Sequence, residues 1–148
     1  MTYLVNGIEC RTRQESLIHI AQQAKLKKIG PKNEHEHGFC EYRYASGNNC
    51  AVGALFSKAQ LDQIDAWGCT STSINQLALV NIGKRNVETI TGMKLKELEI
   101  IQKIHDDTLQ SHGAQEARDG VRIYCEKELE KLQAKQSETP QILRSETA

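Results

Sequence analysis

The sequence predicts a mainly α fold: about five helices around a single core, with one or two short β-hairpins in the N-terminal third. Three observations carry this expectation. Apolar residues recur at helical spacing, most clearly at Leu95, Leu98, Ile101, Ile104 and Leu109. Helix-starting and helix-stopping residues bracket such stretches. Strand-like alternation is confined to two short segments before residue 56. The 148 residues are one domain's worth, with 39% hydrophobic and 26% charged side chains, as in ordinary globular domains. Such a chain holds a core without metals or staples. Aromatics are only 5%, so that core has to be mostly aliphatic.

Each element has its own local reason. Tyr3-Leu4-Val5 and Ile8-Glu9-Cys10 flank Asn6-Gly7. Asn-Gly supplies both positive-φ positions of a two-residue turn, so a small hairpin is expected. Thr12-Arg13-Gln14-Glu15 reads as a capping box. Leu17, Ile20, Ala21 and Ala24 follow at helical spacing, and Gly30-Pro31 closes a first helix over residues 13–29. Residues 32–38 are polar loop, residues 39–44 alternate as a strand, and residues 45–49 are rich in turn formers. Cys50-Ala51-Val52-Gly53-Ala54-Leu55 fits either a returning strand or the tight start of a buried helix.

Ser57 caps a helix over residues 58–67, ended by Gly68. Ile74, Leu77 and Leu79 mark another that ends near Gly83, and residues 86–90 form one more turn stopped by Gly92. The clearest helix spans residues 94–110 and is broken by Ser111-His112-Gly113. Ala117, Val121, Tyr124, Cys125, Leu129 and Leu132 mark a final amphipathic helix over residues 114–134. The expected core is formed by the helices starting near Arg13, Lys94 and Ala114. Residues 1–135 then make one globular domain, and residues 136–148 a disordered polar tail.

Charge and cysteine usage narrow the function classes. Lysine plus arginine and aspartate plus glutamate are 19 each, for a formal net charge of zero. A nucleic-acid binder needs a basic excess or stripe, and the densest run, Lys25, Lys27 and Lys28, is explained by a solvated helix face. Nucleic acid is therefore not the expected partner, and zero net charge leaves self-association open. No segment approaches the roughly 18 apolar residues of a membrane span. Residues 1–10 lack the charged start and apolar run of a signal peptide, so the expected location is the cytoplasm. Cys10, Cys40, Cys50, Cys69 and Cys125 are odd in number and scattered, which reads as reduced thiols rather than a disulfide framework.

Three stretches carry a resemblance: Thr12-Arg13-Gln14; Gly38-Phe39-Cys40-Glu41-Tyr42-Arg43 with Gly47-Asn48-Asn49-Cys50-Ala51-Val52-Gly53-Ala54-Leu55; and Gln102-Lys103-Ile104-His105-Asp106. Together they resemble a family of small uncharacterised bacterial and prophage-borne proteins. That family pairs Cys-x-Tyr-Arg with Gly-x-x-Cys-Ala-Val-Gly, and a Leu-Gln-x-x-His-Asp helix follows. The resemblance covers most of residues 12–130. It implies a shared fold and a phage context, and nothing catalytic. Where family members carry Cys-Leu-Ile-Pro-Asp after Ala-Val-Gly, this chain has Ala54-Leu55-Phe56-Ser57-Lys58, so a second thiol and an acid are missing. Ile101 also stands in place of the leucine.

Five constellations are candidates for chemistry. Cys50 at a helix start, with His105 as base, would make a thiol nucleophile. Asp106 is about 100° around the helix from His105 and is poorly placed to orient its ring. The plain alternative is a small buried cysteine beside a hydrogen-bonded buried histidine. Cys40, Cys50, His35 and His37 are metal-ligand types, but Cys40 and Cys50 are ten residues apart and no Cys-x-x-Cys is present, so no metal is expected. Residues 47–53 contain glycine but lack both the lysine and hydroxyl of a P-loop and the three-glycine dinucleotide fingerprint, so no cofactor is expected. Tyr42 and Tyr44 would share one face of a strand with Arg43 on the other, which suits a partner surface or a half-buried strand equally. Asp62 with Asp65, and Asp106 with Asp107, read as solvated helix charge.

Two functional expectations follow. The first is a non-enzymatic protein-interaction module, phage-encoded and acting on a host protein, for example as an inhibitor of a host or defence complex. It predicts an exposed apolar patch lined by Tyr42, Tyr44, Phe56 and Trp67, with Arg43 as a further binding residue. The second is a cysteine-dependent hydrolase or transferase with Cys50 as nucleophile and His105 as base. It predicts a pocket that exposes both.

Overall fold

The computed structural model describes residues 3–5, 8–31, 41–69 and 71–147, and the side chains of residues 10–31, 41–69, 71–79 and 82–136. Tyr3–Val5 (β1) and Ile8–Cys10 (β2) pair antiparallel, with Tyr3 opposite Cys10 and Val5 opposite Ile8. The Asn6-Gly7 turn, the loop at residues 32–38, Phe39, Cys40, His35 and His37 lie outside the described residues. The rest of the described chain is mainly helical: Arg13–Lys25 (α1), Lys58–Ala66 (α2), Ile74–Leu77 (α3), Lys84–Thr91 (α4), Leu95–His112 (α5) and Ala114–Thr147 (α6). A 3-10 turn occupies Gly53–Leu55, and a wide π-helical turn occupies Ala78–Ile82.

The helix starts follow local chemistry. At α1 the Thr12 hydroxyl accepts the Glu15 N–H at 3.1 Å, while Glu15 Oε1 accepts the Thr12 N–H at 2.9 Å. Ser57 and Gln60 repeat this reciprocal box at α2, and Ser73 caps α3. At α5 the cap comes from outside the helix: Lys94 offers no side-chain cap, and Glu88 Oε2 on α4 accepts the Leu95 N–H at 2.8 Å.

Several expected boundaries move. The first helix stops at Lys25 rather than residue 29, because Lys27 turns left-handed at φ 60. The freed residues join a second strap: Gly30 N–H donates to Asn49 O at 2.8 Å, and Asn49 N–H donates to Lys28 O at 3.1 Å. That bridge replaces the expected second hairpin. Residues 41–44 are not a strand; Tyr44 N–H donates to Asn48 O and Gly47 N–H to Tyr44 O, closing a compact turn. Cys50 to Leu55 resolves as a turn running into the 3-10 segment, with Ala54 N–H on Cys50 O at 3.0 Å. The short turn expected at residues 86–90 is the full helix α4, and the last helix runs past residue 134 through the segment read as a tail.

The core forms where α1, α5 and α6 meet, with α1 packing most heavily on α6. Leu17, Ile20, Leu98, Ile101, Val121 and Cys125 are fully buried there. A polar clamp crosses the edge of this three-helix layer. Arg13 donates to both Glu97 oxygens at 2.7 and 2.6 Å and to Glu128 at 2.9 Å, and Tyr124 OH donates to Glu97 at 2.8 Å. Burial first, and Glu97 beside it second, push the Tyr124 phenol above its ordinary range, and Glu97 holds the Arg13 guanidinium charged.

Candidate functional site

Tyr42, Asn49 and Gly53 from the second of the stretches that carry the resemblance, and Gln102 from the third, meet in one buried polar knot. The Tyr42 backbone lies directly on Gly53, where a Cβ would come 2.2 Å from Tyr42 O, so no larger residue fits. The Tyr42 ring meets Phe56 edge-on, centroids 6.1 Å apart. The Tyr42 hydroxyl accepts from Gln102 Nε2 at 3.3 Å, and Gln102 Oε1 accepts the Ile74 N–H at the start of α3 at 2.8 Å. Asn49 Nδ2 donates to Tyr42 O at 2.8 Å, and Asn48 Nδ2 to Lys27 O at 3.2 Å and Gly30 O at 3.1 Å. The two asparagines thus clasp two straps of backbone together. Their amides are engaged with peptide groups rather than aimed at a phosphate.

Cys50 and His105 both have zero exposure. The Cys50 sulfur accepts the Gly53 N–H at 3.3 Å, an interaction internal to its own turn. The His105 Nδ1 faces Asp106 Oδ1 at 3.3 Å, so Asp106, expected to be poorly placed to orient the ring, does meet it. The other ring nitrogen, Nε2, has no hydrogen-bond partner and rests against Gly30, where a Cβ would come within 3.2 Å. Gly30 has φ 79, so glycine is required there on both counts. Neither the thiol nor the imidazole meets solvent.

The expected binding residues divide. Tyr42, Tyr44 and Phe56 are buried at 1%, 2% and 5% exposure, so the exposed aromatic patch they were expected to line does not exist. The physical reason is the turn at residues 41–50. It folds both tyrosines inward, where a half-buried strand would have presented one face. Arg43 points out but is engaged: Nη1 donates to Asp62 at 2.7 Å and Nη2 donates to Asp65. Asp62 and Asp65, read from the sequence as free helix charge, therefore pin the strap to α2. Arg43 and Lys58 hold the Asp62 carboxyl below its ordinary range.

Of the aromatic residues expected to line a patch, Trp67 alone is exposed. It is 40% exposed at the end of α2. It borders an open groove of about 240 Å³ between α2 and α4. Phe56, Ile82 and Ile90 supply the apolar floor, and Gln60, Gln63 and Asn86 the polar edges. No family model, curated protein or solved structure matches this chain. The groove is therefore read on its own chemistry. No lining residue is charged. Its volume is below the roughly 300–1,000 Å³ of small-molecule pockets, which suits one or two side chains of a partner better than a cofactor.

Sequence reasoning named Phe56 and Trp67 for this place and missed the other five residues. A signal existed. Gln60, Gln63 and Trp67 recur at helical spacing on α2, and Ile82, Asn86 and Ile90 do so through α4. Each stripe mixes amides with apolar residues. What the spacing does not give is that the two stripes face each other.

Proposed function

We propose that this chain is a protein-interaction module that docks an apolar segment of another protein in the Trp67 groove. The observation that carries this is a contrast in exposure. Trp67, the only tryptophan, is 40% exposed beside an open apolar groove, while the candidate nucleophile and base have no exposure. Tryptophan is enriched among residues that dominate interface energetics. An uncharged groove of side-chain size matches the central pocket of such interfaces. A nucleophile has to meet both its base and its substrate, so sealed Cys50 and His105 favour binding over catalysis. The resemblance to prophage-borne proteins makes a host protein the partner class we propose, with inhibition of a host or defence complex as the consequence.

The test is a selection of random displayed dodecapeptides against the full chain, followed by synthesis of the enriched peptides. Peptides that bind the native chain and lose at least about ten-fold in affinity, roughly 1.4 kcal/mol, on Trp67→Ala are expected. Circular dichroism of the variant has to match the parent. A selection that yields no Trp67-dependent peptide overturns the reading.

A further inference from the structure

Three amides line the groove, and the chain itself fixes the orientation of two of them, Gln60 and Asn86. Gln60 closes the capping box of α2, where its Oε1 accepts the Ser57 N–H at 2.7 Å. Only the oxygen of an amide can meet a backbone N–H, so the other end of Gln60 is its NH2 group. That nitrogen, Nε2, is buried and has no hydrogen-bond partner among the described residues. Asn86 on α4 is held the opposite way. Its Nδ2 donates to Ile82 O at 2.9 Å, so Oδ1 is the end left over, and no described residue donates to it.

A buried donor left unpaired has lost its hydration for nothing, and nearly all such groups in folded proteins are met. Three side-chain nitrogens among the described residues are exceptions, in Gln60, His105 and Arg118, and only Gln60 lines this groove. The α2 wall therefore offers a donor and the α4 wall an acceptor, over the apolar floor of Phe56, Ile82 and Ile90. A trans peptide group is complementary to that pair, since its C=O and N–H point to opposite sides of the chain. A side-chain amide projects both groups from one carbon, toward one wall. An ionised group would lose its hydration with no countercharge in the lining.

We infer that the groove takes its partner as an extended segment, with a peptide group beside the apolar anchor spanning the two walls: its C=O accepts from Gln60 Nε2 and its N–H donates to Asn86 Oδ1. This rests on the docking reading and adds how the segment's main chain is held. Main-chain bonds of this kind supply affinity, while the apolar floor selects the anchor side chain. Gln60 Nε2 lies within the wall rather than on its surface, so side chains at the open edge shift as the carbonyl seats, a common adjustment at interfaces.

The probe is the tightest Trp67-dependent dodecapeptide from the selection above, bound to the full chain. Gln60→Glu keeps an acceptor for the Ser57 N–H, and with it the capping box, but turns the donor into a second carboxylate oxygen. It should weaken the peptide at least about five-fold, with the thermal unfolding midpoint unchanged. A second measurement leaves the protein untouched: an ester in place of each peptide bond in turn removes one N–H at a time. One position beside the anchor should lose about three- to ten-fold. That loss should fall to about two-fold or less in Asn86→Ala, which has no Oδ1 to meet. A peptide indifferent to Gln60→Glu and to every ester would overturn this inference and leave docking intact. A loss traced to an asparagine or glutamine of the peptide, with no ester effect, would assign the bonds to a side-chain amide and overturn it as well. No Trp67-dependent peptide at all would overturn both readings.

Discussion

The carbonyl oxygen of Tyr42 occupies the space a Cβ on Gly53 would need, at 2.2 Å. Two sequence motifs separated by a turn are thereby locked backbone to backbone. Gly53→Ala should destabilise the fold by roughly 3 kcal/mol, the upper range for overpacking. The check is the midpoint of urea unfolding. A shift of less than about 0.5 kcal/mol would show that the strap moves aside freely.

Gln102 joins Tyr42 to the first turn of α3. Gln102→Leu leaves the buried Ile74 N–H without its acceptor and should cost about 2 kcal/mol. Tyr42→Phe removes the hydroxyl that accepts from Gln102 at 3.3 Å and should cost about 1 kcal/mol. Chemical denaturation of both variants orders them, and the reverse order would contradict the knot described here.

Arg13 clamps α1 to α5 and α6. Arg13→Ala should cost about 2 kcal/mol, since Glu97 is left only 13% exposed without its forked partner. Arg13→Lys should recover less than half of that, because an ammonium cannot bridge both Glu97 oxygens. Lys127→Ala on the exposed face of α6 is the control and should stay within about 0.5 kcal/mol. Thermal unfolding of the three variants separates a structural clamp from a surface decoration.

His19 gives the fold a pH dependence with a definite sign. Burial, then the nearby Arg11 charge, lowers its folded-state pKa below the ordinary 6.5. The unfolded chain therefore takes up a proton first as pH falls, and stability declines below about pH 6.5. His19→Gln should flatten the unfolding free energy between about pH 7 and pH 5.5, a window above the ordinary carboxylate range. An unchanged slope in the variant would assign the effect elsewhere.

The thiols should rank by exposure. Cys69, half-buried beside Trp67, should alkylate in the native state. Cys10, Cys50 and Cys125 should react only on unfolding. Burial first, and Glu97 second, push the Cys125 thiol up to about 12, so it carries almost no thiolate near neutral pH. Mass-spectrometric mapping after a brief pulse of iodoacetamide reads this directly. Rapid native labelling of Cys50 would reopen the nucleophile reading.

The parts of this fold that were legible are those whose cause is local. The Thr12–Glu15 box and the Leu95 to Leu109 repeat report helices because capping and spacing act within a few residues. Lys27 was not legible, since its left-handed turn serves a hydrogen-bonded bridge to Asn49 some twenty residues away. Tyr42-Arg43-Tyr44 was misread because a half-buried strand and an inward-folded turn produce the same alternation. The hydrogen bonds from Tyr44 N–H to Asn48 O and from Gly47 N–H to Tyr44 O separate them. Trp67 was picked out from the sequence, but the groove it borders depends on α2 meeting α4, and no short-range pattern encodes that meeting.

Among the described residues the heaviest packing joins α1 to α6, through contacts such as Arg13 with Glu128, 115 positions apart. During synthesis at about 5–20 residues per second, α1 therefore waits on the order of ten seconds for the surface that covers it. Its apolar stripe of Leu17, Ile20 and Ala24 is open to chaperones or to misassociation throughout that interval. Truncation before α6 leaves that stripe without its main cover, so the nascent chain's yield depends on α6 being delivered without delay.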